Sequence, residues 1–174
     1  SEDVYTIMKA LGSYYRISLS KGSQIITIGE ELETVKNYLT IQQIRYGDLF
    51  TAVYEVDESV LRARTLKLIL QPLVENAIYH GIRPKGEKGT IIVSVKGCPD
   101  CIELKVADDG VGMEQTTMVA ILSAEPTANR GSFGLRGTIE RLRIFYGIEN
   151  ILLIDSEIGK GTTLTIRIPF EESC

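Results

Sequence analysis

LILQPLVENAIYHG, residues 68–81, is the stretch that decides the fold. Its apolar residues recur at helical spacing, so they form one stripe of an amphipathic helix that faces a core. The stripe consists of Leu70, Leu73, Val74, Ala77 and Ile78. The polar residues Glu75 and Asn76 lie off the stripe, as does Tyr79, and Gly81 is expected to end the helix because glycine tolerates positive φ. Taken alone, the Glu-Asn pair is also typical of an ordinary solvated helix face.

Three glycine-bearing segments follow this helix in order. Residues 108–113 (DDGVGM) end an alternating apolar run, residues 131–137 (GSFGLRG) open a helical pattern, and residues 159–162 (GKGT) open a second alternating run. Each segment alone is compatible with a simple turn or loop. The chain contains no GxxxxGK[ST] sequence, which excludes a P-loop. A nucleotide would therefore have to be bound in another way.

The composition is that of one globular domain. The 174 residues are 44% apolar with a net charge of −4, and Lys and Arg are scattered, which argues against a nucleic-acid-binding surface. No apolar run approaches the roughly 20 residues that span a bilayer, and no signal peptide is visible, so a cytoplasmic domain is predicted. Residues 98–101 (CPDC) have metal-knuckle spacing, but without a second cysteine pair they are predicted to form a hairpin turn.

Periodicity along the chain predicts a mixed α/β fold. Besides the segment already described, helical patterns cover residues 3–19, 29–46 and 135–146. Alternating apolar runs predict strands at residues 24–28, 49–56, 90–96, 102–107, 151–155 and 163–168. The strands do not alternate with helices as βαβ units. We therefore predict a two-layer α/β sandwich with a mixed, mostly antiparallel sheet and helices on one face.

Several side chains in these segments have the chemistry to bind parts of a nucleotide. Asp108 follows a strand, and a carboxylate there can accept a hydrogen bond from an exocyclic amine such as that of adenine. Gly110 and Gly112 would let the backbone approach the ring closely. Free N–H groups at the helix start within residues 131–137 would form an anion site. Asn76 offers an amide oxygen to Mg²⁺, which needs only one or two protein oxygens when it bridges phosphates.

Together, the four segments resemble the ATP-binding boxes of the superfamily that includes sensor histidine kinases, gyrase, Hsp90 and the MutL repair ATPases. The resemblance implies a Bergerat-type fold that binds ATP and Mg²⁺, with Asn76 contacting Mg²⁺, Glu75 beside it as a catalytic base or water-bridged partner, and Asp108 contacting the adenine amino group. Residues 113–130 would form a mobile lid that ends near Arg130. The other nucleotide-binding residues that the resemblance implies are Tyr79, His80, Gly110, Gly112, Met113, Arg130, Gly131, Ser132, Phe133, Gly134, Leu135, Gly137 and Thr162.

Within the superfamily, the chain is most similar to bacterial sensor histidine kinases of the LytS/YesM type. The residues that carry this likeness include QPLVENAI at 71–78, ELE at 31–33 and IQQIRYGD at 41–48. Gyrase-type ATPases have a catalytic glutamate four residues before the Asn, where this chain has Pro72. Proline cannot act as a base, which favours phosphoryl transfer over hydrolysis.

Two residues depart from the pattern of the LytS/YesM branch. Tyr79 stands where a phosphate-binding Lys is usual, and we consider Arg83 or Lys85 as its replacement. The acceptor histidine of the branch lies upstream in an Asn-Pro-His-Phe segment, whereas the one histidine here is His80 in the ATP-site helix. The chain is therefore expected to bind ATP without phosphorylating itself.

The resemblance also implies the organisation of a longer parent protein. Residues 1–22 would end a dimerisation and phosphoacceptor region, and residues 23–174 would form the ATP-binding catalytic domain. The parent is expected to be a homodimeric kinase in the bacterial membrane that passes the γ-phosphoryl group of ATP to a histidine and then to a response-regulator aspartate. The alternatives are a gyrase- or Hsp90-like conformational ATPase, an anti-sigma-type serine kinase, and a non-catalytic nucleotide-binding module.

Overall fold

The computed structural model describes residues 2–18, 23–123 and 133–170. The helices are α1 (Glu2–Ser18), α2 (Ile28–Tyr46), α3 (Gln71–Asn76), α4 (Arg83–Lys85), α5 (Gln115–Leu122) and α6 (Phe133–Tyr146). The strands are β1 (Ile25–Thr27), β2 (Phe50–Val56), β3 (Arg64–Leu66), β4 (Gly89–Cys98), β5 (Cys101–Asp108), β6 (Leu152–Glu157) and β7 (Gly161–Pro169). A π-helical segment, Ala77–Ile82, joins α3 to α4.

Five strands form one mixed sheet in the order β2-β4-β5-β7-β6. Strand β2 pairs in parallel with β4, and the other three pairings are antiparallel. Strands β1 and β3 form a separate antiparallel pair at the start of α2. The predicted mixed, mostly antiparallel sheet is confirmed, although β3 lies in a segment that the sequence did not identify as a strand.

Helices cover one face of this sheet and charged side chains occupy the other. On the covered face, Leu104 of β5 lies between Val95 of β4 and Ile166 of β7 in the strand register, and all three side chains are almost fully buried. On the open face, Glu103 is paired with Arg167 at 2.9 Å and with Lys105 at 3.2 Å. Burying each apolar side chain of this kind contributes about 1.5–3 kcal/mol. The molecule is therefore the two-layer sandwich that the sequence predicts.

Helix α2 is fixed at both ends by local hydrogen bonds and backbone geometry. The Thr27 side chain accepts the Glu30 N–H at 3.1 Å, and the Glu30 carboxylate accepts the Thr27 N–H at 2.8 Å. This reciprocal capping box satisfies two amides that the helix itself leaves unpaired. Gly47, with φ 62°, follows the last residue of α2, as predicted.

Helix α1 packs against α2 through part of its surface. Ala10 is buried, whereas Val4, Tyr5 and Met8 are more than half exposed. The helix therefore presents an apolar face that no described residue covers.

The helix that carries Asn76 does not end at Gly81, and this sequence prediction was wrong. The helical path continues through the π segment and α4, and Gly86, in the left-handed region with φ 75°, follows the last helical residue. A Cβ atom on Gly81 would lie 2.5 Å from Oδ1 of Asp108. Glycine is needed at position 81 because a carboxylate packs against it, and its backbone is helical rather than left-handed.

Residues 98–101 form the predicted turn at the end of the β4–β5 hairpin. Pro99 and Asp100 make the turn, and Cys98 and Cys101 face each other across it. Their sulfur atoms are joined in a disulfide bond, which the sequence did not predict.

Candidate nucleotide-binding site

A cleft of about 470 Å³ opens between the Asn76 helix, the turn that follows β5, and α5. A smaller cavity of about 110 Å³ adjoins it on the side of α6. Asn76 and His80 line both spaces, so the two adjoin and share part of their walls. The larger cleft is also lined by Gly112, Met113, Glu114, Thr116, Thr117, Ala120, Ile121 and Ile158. The smaller one is also lined by Pro72, Glu75, Tyr79, Gly134 and Leu135.

Asn76 is the polar centre of this site. It is the last residue of α3, and only 7% of it is exposed. The described residues contain no group of three or more His, Cys, Asp or Glu side chains that could hold a metal ion by themselves. A single buried amide oxygen beside an open cleft is nevertheless sufficient for Mg²⁺, because this ion takes most of its ligands from water and phosphate. The donor set therefore fits magnesium bound together with a phosphate ligand.

Asp108 lies at the end of β5, against the turn of the helix that contains Gly81. Its Oδ1 atom accepts the Gly110 N–H at 2.9 Å. Burial raises the pKa of Asp108 to about 6, and the negative charge of Asp109 acts in the same direction. Hydrogen bonds from the Gly110 and Thr162 amides oppose this rise because they stabilise the ionised form. The carboxylate therefore holds its proton more tightly than a free aspartate does, and two backbone amides already donate hydrogen bonds to it.

Glycines after β5 make room for protein backbone. The position of a Cβ on Gly110 is occupied by the backbone of Gly81, and that of a Cβ on Gly112 by the backbone of Glu157. Val111 completes this packing, because its N–H donates to the Gly81 carbonyl at 3.1 Å and its carbonyl accepts the Gly159 N–H at 2.8 Å. At both glycines the space of the missing side chain is filled by protein backbone, that of Gly81 at Gly110 and that of Glu157 at Gly112, so, contrary to the prediction, neither glycine opens side-chain space for the ring. Gly112 does line the larger cleft.

Thr162 lies beside Asp108 in the sheet register but lines neither cavity. It is 4% exposed, and its hydroxyl is 2.8 Å from that of Ser156. Ser156 also accepts the Met113 N–H at 2.8 Å. Ser156 thus connects the β6–β7 hairpin to the cleft wall, a role that nothing in its sequence context indicated.

The two basic residues considered as replacements at position 79 are engaged elsewhere. The Arg83 guanidinium lies between two aromatic rings, 5.0 Å from the centre of Tyr46 and 5.3 Å from that of Tyr79. The Lys85 Nζ atom is 3.8 Å from the Asp109 carboxylate. Neither residue lines the two cavities. Tyr79 itself lines the smaller cavity, on the side of Glu75.

Helix α6 brings part of the third glycine segment to the site. Gly134 and Leu135 line the smaller cavity together with Asn76, whereas Gly137 lies farther along the helix and lines neither cavity. Arg130, Gly131 and Ser132 lie outside the described residues, as does the side chain of Phe133.

The segment predicted to be a lid contains a helix. Its first part forms α5, which contributes Thr116, Thr117, Ala120 and Ile121 to the larger cleft. None of these four residues could be predicted from the sequence, because the short segment between the turn and Pro126 has little periodicity. Residues 124–132 lie outside the description.

Comparison with known proteins identifies the family. The model of the histidine kinase-, DNA gyrase B- and HSP90-like ATPases matches residues 62–172, and that of the histidine kinases matches residues 1–50. The chain belongs to this ATPase family. It is 36% identical over 160 residues to the sensor histidine kinase YpdA of Escherichia coli, and 33% identical over 168 residues to the sensor histidine kinase YesM of Bacillus subtilis. These alignments cover 91% and 97% of the chain but only 27% and 28% of the relatives, so the chain spans about a quarter of their length.

Solved histidine kinase structures share the fold of this ATPase-family chain. The catalytic domain of the histidine kinase ThkA superposes with a TM-score of 0.62 at 19% identity, covering 84% of this chain and 94% of that one. The histidine kinase domain of a blue-light activated kinase from Erythrobacter litoralis superposes with a TM-score of 0.58 at 18% identity, covering 97% of this chain and 75% of that one.

None of the described helices is both long and apolar enough to cross a membrane.

Proposed function

We propose that this chain is the ATP-binding catalytic domain of a two-component sensor histidine kinase. The observation that carries the proposal is the meeting of three distant segments at one site. Asn76 from α3, Gly112 after β5 and Gly134 at the start of α6 line its two cavities, and Asp108 lies behind the turn. The ATPase family supports nucleotide binding, and the chain's similarity to the sensor histidine kinases YpdA and YesM supports the kinase reading.

Each wall of the site supplies a different part of nucleotide recognition. Asp108 lines neither cavity but lies directly behind the turn, and its carboxylate, which accepts the Gly110 N–H through Oδ1, would also accept the exocyclic amine of adenine. Met113, Ile121 and Ile158 provide apolar surface for a purine. Gly134 stands at the start of α6, where unpaired N–H groups favour phosphate oxygens.

Asn76 would hold magnesium through its amide oxygen. A magnesium ion held there would supply positive charge to neutralise the phosphate groups of the nucleotide. Asn76 lies between the apolar cleft and the start of α6, because it lines both cavities. This position suits a contact with a metal ion on the triphosphate rather than with the base.

Phosphoryl transfer to a protein is favoured over hydrolysis. Pro72 lines the smaller cavity at the position where a gyrase-type base would stand, and it has no group that could accept a proton from water. Glu75 lines the same cavity, but its Oε1 atom accepts a hydrogen bond from Nε2 of Gln71 at 2.9 Å. We infer that the γ-phosphoryl group passes to a histidine of the parent kinase and then to a response-regulator aspartate.

We also propose that the parent kinase is a homodimer in which α1 belongs to the dimerisation region. The exposed apolar side chains of Val4, Tyr5 and Met8 support this assignment, because a second helix packed on them would remove them from water. The membrane location of the parent stays a prediction from the resemblance.

Calorimetric titration with ATP, with and without Mg²⁺, tests the proposed function. We expect saturable binding that is tighter with Mg²⁺. The Asn76→Ala variant should lose most of the magnesium effect, whereas Asn150→Ala, which changes an exposed turn residue, should bind as the wild type does. If ATP does not bind under either condition, the chain can only be a module that acts without a nucleotide.

A further inference from the structure

A fully buried carboxylate on α2 holds the start of the helix that carries Asn76. Glu31 has no exposed surface. Its Oε2 atom accepts the Leu68 N–H at 2.9 Å, and its Oε1 atom accepts the N–H groups of Ile69 and Leu70 at 2.7 and 2.8 Å. Helix α3 has no side-chain cap from its own N-cap residue, Leu70. Glu31 therefore acts as a cap from almost forty positions away in the sequence.

The same loop is held from its other side by α6. Nη2 of Arg141 donates to the Lys67 carbonyl at 2.8 Å, and Nη1 donates to the Leu68 carbonyl at 3.4 Å. Leu68 has φ 58° and is the one non-glycine residue in the described ranges with a positive φ. A leucine persists in this conformation only where its surroundings enforce it. Glu31 and Arg141 are the two side chains that hydrogen-bond the backbone of this loop among the described contacts, and the Gln24 carbonyl also accepts the Lys67 N–H at 2.9 Å.

The smaller cavity has one wall on the Asn76 helix and one on α6, and both helices contact the loop of residues 67–70. The first wall begins at Pro72, two residues after Leu70, and includes Asn76 less than two turns farther along the helix. The second wall begins at Gly134 on α6, the helix that also carries Arg141. The position of Asn76 relative to α6 therefore depends on residues 67–70 and on the groups that bind them.

Resting on the proposed function, we propose that Glu31 is a positioning residue that fixes Asn76 for magnesium nucleotide through its hydrogen bonds to residues 68–70. Glu31 lies in the segment matched by the histidine kinase model, and the loop lies in the segment matched by the ATPase model. Its hydrogen bonds thus connect the two matched segments directly. A shift of α2 would move the start of α3 and alter the affinity for magnesium nucleotide.

The Glu31→Gln variant tests this role with the least change in volume. A glutamine oxygen can still accept two of the three N–H groups, but its NH₂ group must face the third donor. We expect the Kd for ATP with Mg²⁺ to rise by roughly tenfold, the order that follows from displacing a binding group by a fraction of an ångström. The Kd for ATP without Mg²⁺ should change much less. Glu33→Gln, on the same helix but exposed, is the matched control and should leave both constants unchanged.

A purely structural role would give a different result. It would weaken binding with and without Mg²⁺ by the same factor, and that outcome would overturn the proposal, as would wild-type binding by a folded Glu31→Gln protein. If that variant does not fold, Arg141→Lys provides the test, because it keeps the positive charge but cannot donate to both the Lys67 and the Leu68 carbonyl in the same geometry. It should then show the same selective loss of affinity with Mg²⁺, and unchanged binding would count against the proposal.

The proposal and the proposed function can fail separately. If the wild type binds no ATP, the function fails. The side-chain amide resonances of Asn76 in the nucleotide-free protein then still test the positioning. They should shift in Glu31→Gln and not in Glu33→Gln, and unchanged Asn76 resonances in both variants would refute it.

Discussion

Replacing Asp108 with asparagine should remove the ability of the site to distinguish adenine while leaving the fold intact. The Asp108 carboxylate already accepts hydrogen bonds from the Gly110 and Thr162 amides, so adenine recognition needs the further acceptor capacity of its two oxygens. Asparagine has one acceptor oxygen, and its NH₂ group must therefore face either the Gly110 amide or the adenine amine. A hydrogen bond to a charged group is worth about 1.5–3 kcal/mol, so the Kd for ATP should rise about 10- to 100-fold.

The effect on stability should have the opposite sign. Burial raises the pKa of Asp108 to about 6 from 3.8, so the folded state holds this proton more tightly than the unfolded state does. Stability from this group is fully present below pH 3.8 and is lost as the pH rises through 6. Asn resembles the protonated form. Relative to the wild type, Asp108→Asn should gain roughly 1 kcal/mol between pH 4 and pH 8, after allowance for the partial exposure of the carboxylate.

Calorimetry with two nucleotides isolates the adenine contact. ATP and purine riboside triphosphate differ in the exocyclic amine, so the ratio of their Kd values cancels the titration of the phosphates. We expect the wild type to bind ATP more tightly than purine riboside triphosphate at pH 8 and to lose that preference near pH 5, where Asp108 becomes protonated. The Asp108→Asn variant should show no preference at either pH. The reasoning would be refuted if the variant lost affinity equally for both nucleotides, or if it still preferred ATP.

Three further predictions concern other residues of the site. Asn76→Ala should bind magnesium-free ATP as the wild type does and gain little from added Mg²⁺; a full magnesium effect by calorimetry would place the ion elsewhere. Gly81→Ala should lower the free energy of unfolding by about 1–3 kcal/mol in chemical denaturation, because its Cβ would overlap the Asp108 carboxylate. Gly12→Ala on α1 is the control: no atom would contact its Cβ, so it should leave stability unchanged or raise it. Incubation of the 174-residue chain with γ-labelled ATP should yield no acid-labile phosphate, since His80 is its one histidine and lines the cleft wall; labelled His80 in a peptide digest would contradict this.

The sequence was sufficient to predict the sheet and the helices that follow local periodicity. The alternation around residues 90–108 predicted the β4–β5 hairpin because one face of each strand is apolar and buried, and the other carries mostly polar or charged residues such as Lys96, Glu103 and Lys105. The convergence of Asn76 with Gly112 and Gly134 could be inferred only through the family resemblance, because no local pattern records which distant segments meet.

Features that depend on contacts between distant residues could not be predicted. Gly81 matched the rule for a helix stop, but its lack of a side chain serves the approach of Asp108, and the helix continues as a π segment. The amides that Glu31 caps lie 37 to 39 residues farther along the chain, beyond any capping pattern of neighbouring residues. The left-handed conformation of Leu68 has no sequence signature, since leucine is an unfavourable residue there.

The most direct measurement is a crystal structure of this chain with a non-hydrolysable ATP analogue and Mg²⁺. We expect the adenine amine within about 3 Å of an Asp108 carboxylate oxygen, and the metal ion about 2.1 Å from the Asn76 amide oxygen. The triphosphate should extend toward the start of α6 at Gly134. A nucleotide bound outside the cleft, or a magnesium ion that makes no contact with Asn76, would contradict the proposed site.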